Sequence, residues 1–336
     1  SRLQSRTLCK RADSRKELQA PARRLEIKGD VGKWLGYHYR QSFNKYSDPY
    51  SLDNLSSSLE LAYVNLKARH NLNFTIGKQF VNFGGYEYYV NSIRVREFSE
   101  FNNLLTAYQA GISGNWQVSP DHELCFQIVN NRNGNDEDIY PTGLPEGTAK
   151  AKIPFMYTVN WNSYYLDKTL QLRYATAVGQ QTRKRYSYYF TCGNTYEKGP
   201  LLTYLDVMYT RQGIDQHGVV SRLPGTPHTA MNTEYLSIIG DVDYRVHPQW
   251  NVYVKGAYET AWVYKSNGDF RKGMYRRSWN AQSSVEFFPF KQLDLFVFVL
   301  YTYRGVILEK AATRMGAIEP DTHRISLGLV YSIPVF

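Results

Sequence analysis

The chain has 336 residues, a formal net charge of +10, 29 Tyr and 16 Phe, and a mean hydropathy of −0.49. So high an aromatic content is at odds with so low a hydropathy in a soluble protein with a dry core. It suits a barrel in which alternate residues face lipid and aromatic belts mark both interfaces; the bland alternative is a Tyr-rich soluble β-sandwich array. The charge is uneven: Arg2, Arg6, Lys10, Arg11, Arg15, Lys16, Arg23 and Arg24 stand against Asp13 and Glu17, which leaves +4 of the +10 for the rest of the chain. With the excess in one arm and no zinc-finger, helix-turn-helix or RNA-binding signature, a nucleic-acid partner is excluded.

Residues 1–22 show no helix or strand period and stand apart as a basic N-terminal arm; residues 23–336 read as one barrel domain. A strand fragment around Arg23–Asp30 is followed by Trp34–Phe43, where Leu35, Tyr37 and Tyr39 share one face and His38, Arg40 and Ser42 the other. Ser57–Lys67 places Leu59, Leu61 and Tyr63 opposite Glu60 and Ala62, and Leu72–Val81 follows after a turn. A long aromatic and charged loop, 82–103, precedes Leu104–Val118 and His122–Asn131. Beyond the polar loop 132–152 come Pro154–Tyr165, Thr169–Gln181, Tyr186–Tyr196, Leu201–Gln212, Glu234–Val246, Asn251–Tyr264, Tyr275–Phe288, Leu293–Ile307 and 323–336. The stretches DLFVFVLYTY (Asp294–Tyr303) and ISLGLVYSIPVF (Ile325–Phe336) are long strands with an almost wholly apolar face, the unit of a transmembrane barrel and too short for a membrane helix.

Connections alternate between tight turns and loops that are mostly long. A soluble sandwich has no reason to sort loop lengths by parity; a barrel with short periplasmic turns and long outer loops does. The expected fold is an all-β, transmembrane antiparallel barrel of about 16 strands by design. Fifteen are visible, and the first is missing or altered. An open barrel would expose an unpaired edge in lipid. No apolar run follows the basic arm, so the chain is expected not to be the full precursor.

The three cysteines, Cys9, Cys125 and Cys192, are odd in number and widely spaced, which fits neither a disulfide framework nor a metal cluster. Cys9 follows Arg6-Thr7-Leu8, without the small residue that precedes a lipid-modified cysteine.

GKQFVNFGGYEY (Gly77–Tyr88), REFSEFNNLLTAYQAGI (Arg96–Ile112), ELCFQIVNNRNG (Glu123–Gly134), VYVKGAYETAWVYKSNG (Val252–Gly268) and YSIPVF (Tyr331–Phe336) together resemble the phosphate-selective porin O and P family, in its Bacteroidota outer-membrane branch. The resemblance covers about Arg23 to Phe336. It implies a 16-strand diffusion porin of the bacterial outer membrane, a homotrimer as its assembly, and loops folded into the lumen as a constriction. It implies a strand before the segment RRLEIKGD, outer-membrane lipid and lipopolysaccharide as surroundings, and recognition by the barrel-assembly machinery through a last strand ending at Phe336. The basic arm does not resemble the family's N-terminus. The last strand keeps its apolar face on Ile325, Leu327, Leu329, Tyr331, Ile333 and Val335, so Phe336 is off register.

If the apolar faces meet lipid, the opposite faces line a pore. Those positions carry His38, Arg40, Arg173, Lys255, Arg276 and Arg324 as bases, and Glu60, Glu123, Asp206, Asp241, Asp243, Glu259 and Glu286 as acids. Phosphate selection needs a dense line of bases, because a divalent anion must exchange its hydration for fixed charge at close range. Bases and acids here are balanced, so the wall predicts weak selectivity. Loop 132–152 with Asp136, Glu137 and Asp138 is the constriction candidate, folding inward opposite Arg40 and Arg173; the plain alternative is a solvated outer loop. Gly84-Gly85 is either a hinge approaching the wall or a turn at a strand end.

No catalytic, metal or cofactor site is expected. His38 and Ser42 are the nearest Ser–His pair, but four residues along a strand span about 13 Å. The alternative function is a docking barrel plugged by loops 82–103 and 132–152, which binds another cell-envelope protein. Its cue would be loops packed apolar-inward, and these loops are mostly polar.

Overall fold

A computed structural model describes residues 24–42, 58–90, 95–131, 139–140, 142–223 and 228–332. Fifteen antiparallel strands form one sheet in which each strand pairs with its sequence neighbours. They are β1 (Arg24–Val31), β2 (Leu35–Ser42), β3 (Leu59–Arg69), β4 (Leu72–Phe80), β5 (Tyr108–Ser119), β6 (His122–Asn130), β7 (Phe155–Tyr165) and β8 (Leu170–Thr182). The order continues with β9 (Arg185–Lys198), β10 (Leu201–Ile214), β11 (Met231–His247), β12 (Trp250–Val263), β13 (Gly273–Phe287), β14 (Asp294–Leu308) and β15 (Thr322–Ser332). Among the described residues two short helices lie in loops, α1 (Glu100–Leu104) and α2 (Lys310–Thr313).

Burial is inverted relative to a soluble protein. On β12 the odd positions Asn251, Tyr253, Lys255 and Ala257 are buried, whereas Val252 and Val254 between them are exposed. The same alternation puts Phe74, Ile112, Phe126, Ile128, Tyr157 and Val159 on the outside. A continuous apolar band outside and a polar interior are what lipid and enclosed water select. The wall is uneven, rising from 8 residues in β1 to 17 in β11.

On β3 the expected facing is inverted. Leu61 is buried and Tyr63 lies 2.9 Å from His38 Nδ1 on the inner face. Arg40 pairs with Leu61 but Gln41 pairs with Leu59, so Glu60 is the extra residue of a bulge. The Glu60 carboxylate, fully enclosed, sits 2.9 Å from Arg40 Nε. One inserted residue moves every later side chain to the other face, so Val64 instead meets lipid.

Among the described residues nothing pairs β1 with β15. On β15, Leu327 is 81% exposed, as befits an edge strand. The seam falls where the alternation of upward and downward strands calls for one more.

Candidate functional site

The described parts of the connection between β4 and β5, residues 81–90 and 95–107, run inside the barrel instead of over its rim. β5 accordingly begins at Tyr108, and the stretch from Leu104 that reads as strand belongs to this inward segment. Gly84 and Gly85 both take φ of +79°, a left-handed conformation that glycine adopts without penalty. Small residues let them lie on the wall. A Cβ on Gly84 would stand 2.8 Å from the Ala175 Cβ, and one on Gly193 would stand 2.6 Å from the Gly85 Cα. Gly84-Gly85 therefore lies in close approach to the wall.

Two wall carboxylates hold the segment by its main chain. Asp206 on β10 accepts the Tyr86 amide at 2.8 Å and the Glu87 amide at 2.8 Å. Glu259 on β12 accepts the Phe101 amide at 2.9 Å and the Ser237 hydroxyl at 2.9 Å. The Phe101 amide belongs to the first turn of α1, whose N–H groups have no intrahelical partner. Ser99 caps that helix, its hydroxyl accepting from Asn102 N at 3.4 Å.

Reciprocal ion pairs complete the attachment. Glu87, buried, pairs with Lys255 and accepts the Ser99 hydroxyl at 2.5 Å. Arg96 pairs with Glu286, and Glu97 with Arg324. Glu100 pairs with Arg276 and, at 2.7 Å, with Arg304 on β14. Glu319 adds a second carboxylate to Arg304 at 3.1 Å. Enclosed ions are costly unless their partners are well placed, and here each head group has at least one.

Aromatic contacts add to the attachment on this side. Phe83 packs on Tyr189 at 4.8 Å, Tyr86 on Tyr204 at 5.0 Å and Phe101 on His217 at 5.0 Å. His217 comes from the loop after β10, where buried Asp215 accepts the Gly218 amide at 2.9 Å, the Ser221 amide at 2.8 Å and the Tyr235 hydroxyl. Burial, with Arg222 adding to it, pushes the His217 ring down to about 3. Burial raises the Asp215 carboxyl above its ordinary range, against its hydrogen bonds, which lower it.

The wall residues expected from alternation divide into two groups. Lys255, Glu259, Arg276, Glu286 and Arg324 are engaged by the inward segment. His38 lies 2.7 Å from Glu26, Arg40 donates to the Tyr108 hydroxyl at 2.7 Å and stands beside Glu60, and Glu123 accepts from Asn162 at 3.1 Å. Arg173 lies over the Tyr89 ring at 5.1 Å. Asp241 and Asp243 share one face of β11 and border a cavity of about 430 Å³ at the short-turn end. Asp136, Glu137, Asp138 and Phe336 lie outside the described residues. Where the first of these loops is described, Tyr140 packs with Ile214 and Met231 near the rim.

Alternation along strands could not show Glu87, Arg96, Glu97 and Glu100, because their segment is not a strand. The available signal was the glycine pair followed by acids and aromatics. The expectation that the loops carry little apolar packing is also corrected, since Val81, Phe83, Tyr88, Val95, Phe101 and Leu105 are all buried.

An apolar outer band, a polar lumen and a loop pinned within it define an outer-membrane β-barrel channel. The model of the family described as phosphate-selective porin O and P matches residues 8–333, and the chain belongs to that family. It is thus a porin of the bacterial outer membrane, a channel for passive diffusion. Among solved structures it is similar to the outer membrane channel DcaP of Acinetobacter baumannii, with a TM-score of 0.61 at 14% identity over 92% of this chain and 84% of that one. It is similar to an anion-selective porin from Comamonas acidovorans, with a TM-score of 0.55 at 10% identity over 91% and 88%. It is also similar to the trimer form of OmpT of Vibrio cholerae, with a TM-score of 0.51 at 12% identity over 91% and 87%. At these identities the likeness is one of fold. No curated protein matches the chain.

Proposed function

We propose that this porin passes small hydrophilic solutes and ions with weak selectivity, through a passage narrowed by the inward segment, described over 81–90 and 95–107. The observation that carries this is the engagement of the wall bases: Lys255, Arg276, Arg304 and Arg324 each face a carboxylate of the inward segment. A base answered by a carboxylate cannot act as one rung of an anion ladder. His38 beside Glu26, Arg40 beside Glu60, and Glu123 with Asn162 are answered from the wall itself, with both signs of charge present, while Arg173 lies over the Tyr89 ring of the segment. No residue is assigned a catalytic role.

The same reading gives the apolar band to outer-membrane lipid and lipopolysaccharide, the last strand to the barrel-assembly machinery, and a homotrimer to the assembly. Native mass spectrometry of the detergent-extracted protein tests the trimer; a monomer at every detergent concentration would end that part.

Single-channel conductance with reversal potentials in a salt gradient tests the main reading. A stable open step with a small reversal potential is expected. A strong anion preference blocked by phosphate would overturn it. The buried apolar side chains of the segment favour one second reading, a plugged barrel that docks another envelope protein. A folded protein with no conductance would decide for it.

A further inference from the structure

The cavity of about 430 Å³ lies between the inward segment and the short turns near Pro200 and Phe288. Its walls include two aromatic pairs, Tyr86 with Tyr204 at 5.0 Å and Phe288 with Phe296 at 4.9 Å. Asp241 and Asp243 face it from one strand. Asp241 lies opposite Lys255 in the sheet register, yet the Lys255 ammonium is taken by Glu87 and by the Glu97 carbonyl at 2.7 Å. Two bases also line the cavity: Arg96 is answered by Glu286, and Arg245 lies over the Phe288 ring at 3.7 Å.

Two polar atoms of residues that line this cavity are buried and unanswered among the described residues. Asp241 is 6% exposed and its Oδ1 has no hydrogen-bond partner; Tyr204 is 5% exposed and its hydroxyl has none. Buried polar atoms are nearly always paired, and one left open beside a cavity marks the place of a missing donor. An anion is excluded by the two aspartates. A hard divalent cation needs six or more oxygens, and no group of three or more metal-ligating side chains occurs among the described residues.

We propose that this vestibule is a binding site for a small organic cation, a primary ammonium on an aromatic or alkyl body. The ammonium donates to Asp241 and the Tyr204 hydroxyl, with Asp243 adding negative field. The apolar body lies against the Tyr86–Tyr204 pair, whose ring faces attract a cation. A volume of this order is at the lower end for a small-molecule site. The short-turn end is the periplasmic end in outer-membrane barrels, so the cation would meet the site from within the cell envelope and slow its own passage and that of other ions. The inference rests on the porin reading only for this consequence; binding itself does not.

Phenethylammonium is the probe and its neutral N-acetyl derivative the control. Calorimetry on the detergent-solubilised full chain reads binding without requiring conductance, and bilayer recordings then read block. Saturable binding of the ammonium but not of the amide is expected, weakened about tenfold or more by Asp241→Asn. Tyr204→Phe, which keeps the ring, should weaken it less. Block should be stronger from the short-turn side. Equal binding of the amide, or unchanged affinity in both Asp241→Asn and Asp243→Asn, would overturn the site. Binding without any current would retain the site and overturn the proposed open passage instead.

Discussion

Gly193 on β9 and Gly85 in the inward segment touch so closely that a Cβ on Gly193 would lie 2.6 Å from the Gly85 Cα. The contact sets how near the segment lies to the wall, and with it the width left open opposite. Gly193→Val is therefore expected to push the segment towards the lumen axis, and overpacking of this kind costs about 1–3 kcal/mol. Lower single-channel conductance together with a lower thermal midpoint would bear this out. Unchanged values for both would show that the segment does not depend on the contact.

Asp206 holds the same stretch by its main chain. Asp206→Ala leaves the half-buried Tyr86 and the buried Glu87 without the acceptor of their amides, at a cost of roughly 2–4 kcal/mol for the two charge-assisted bonds. Asp206→Asn keeps one oxygen and should cost less. Hydrogen exchange at these two amides, in micelles, is the direct readout. Protection as strong in Asp206→Ala as in the wild type would refute the anchoring role.

Lys255→Met leaves Glu87 charged and enclosed, and breaking a buried pair from one side costs about 3–5 kcal/mol. Combining it with Glu87→Gln should recover a large part of that loss, because no uncompensated charge remains. Urea titrations of the folded band in detergent measure both. A double variant no better than the single would mean that the pair is not the source of the loss.

Acid should loosen the loop after β10. The folded His217 ring titrates at about 3, far below the roughly 6.5 of a free imidazole. Its contribution is therefore complete above about pH 6.5 and is lost as pH falls towards 3, since only the released ring takes up a proton. Asp215, raised by burial, acts with the opposite sign: its contribution is present at low pH and is lost as pH rises through its folded pKa. His217→Phe separates the two, because it removes only the first. Proteolysis of residues 213–231 should speed up between pH 7 and pH 4 in the wild type and much less in the variant. Equal acceleration in both would assign the effect elsewhere.

The strands were legible because lipid imposes a strict rule, and the rule is written every second residue. Phe126 and Ile128 outside against Gln127 inside illustrate it. Sorting the connections by length also separated the two ends of the barrel. Two things were hidden. The bulge at Glu60 looks in sequence like an ordinary strand position, since the cue is its pairing with Arg40 across the sheet. The course of residues 81–90 and 95–107 was hidden too, because acids and tyrosines in a loop look alike whether solvent or a wall of basic side chains receives them.

The attachments of the inward segment join very distant parts of the chain. Glu87 meets Lys255 across 168 positions, Arg96 meets Glu286 across 190, and Glu97 meets Arg324 across 227. Contacts of such long range form late, after most of the closure entropy has been met. Until β12 to β15 stand in place, the acids of the segment have nothing to hold. On the proposed reading of the segment as the constriction, the narrowing of the passage is expected to be among the last features to form, after the far side of the wall.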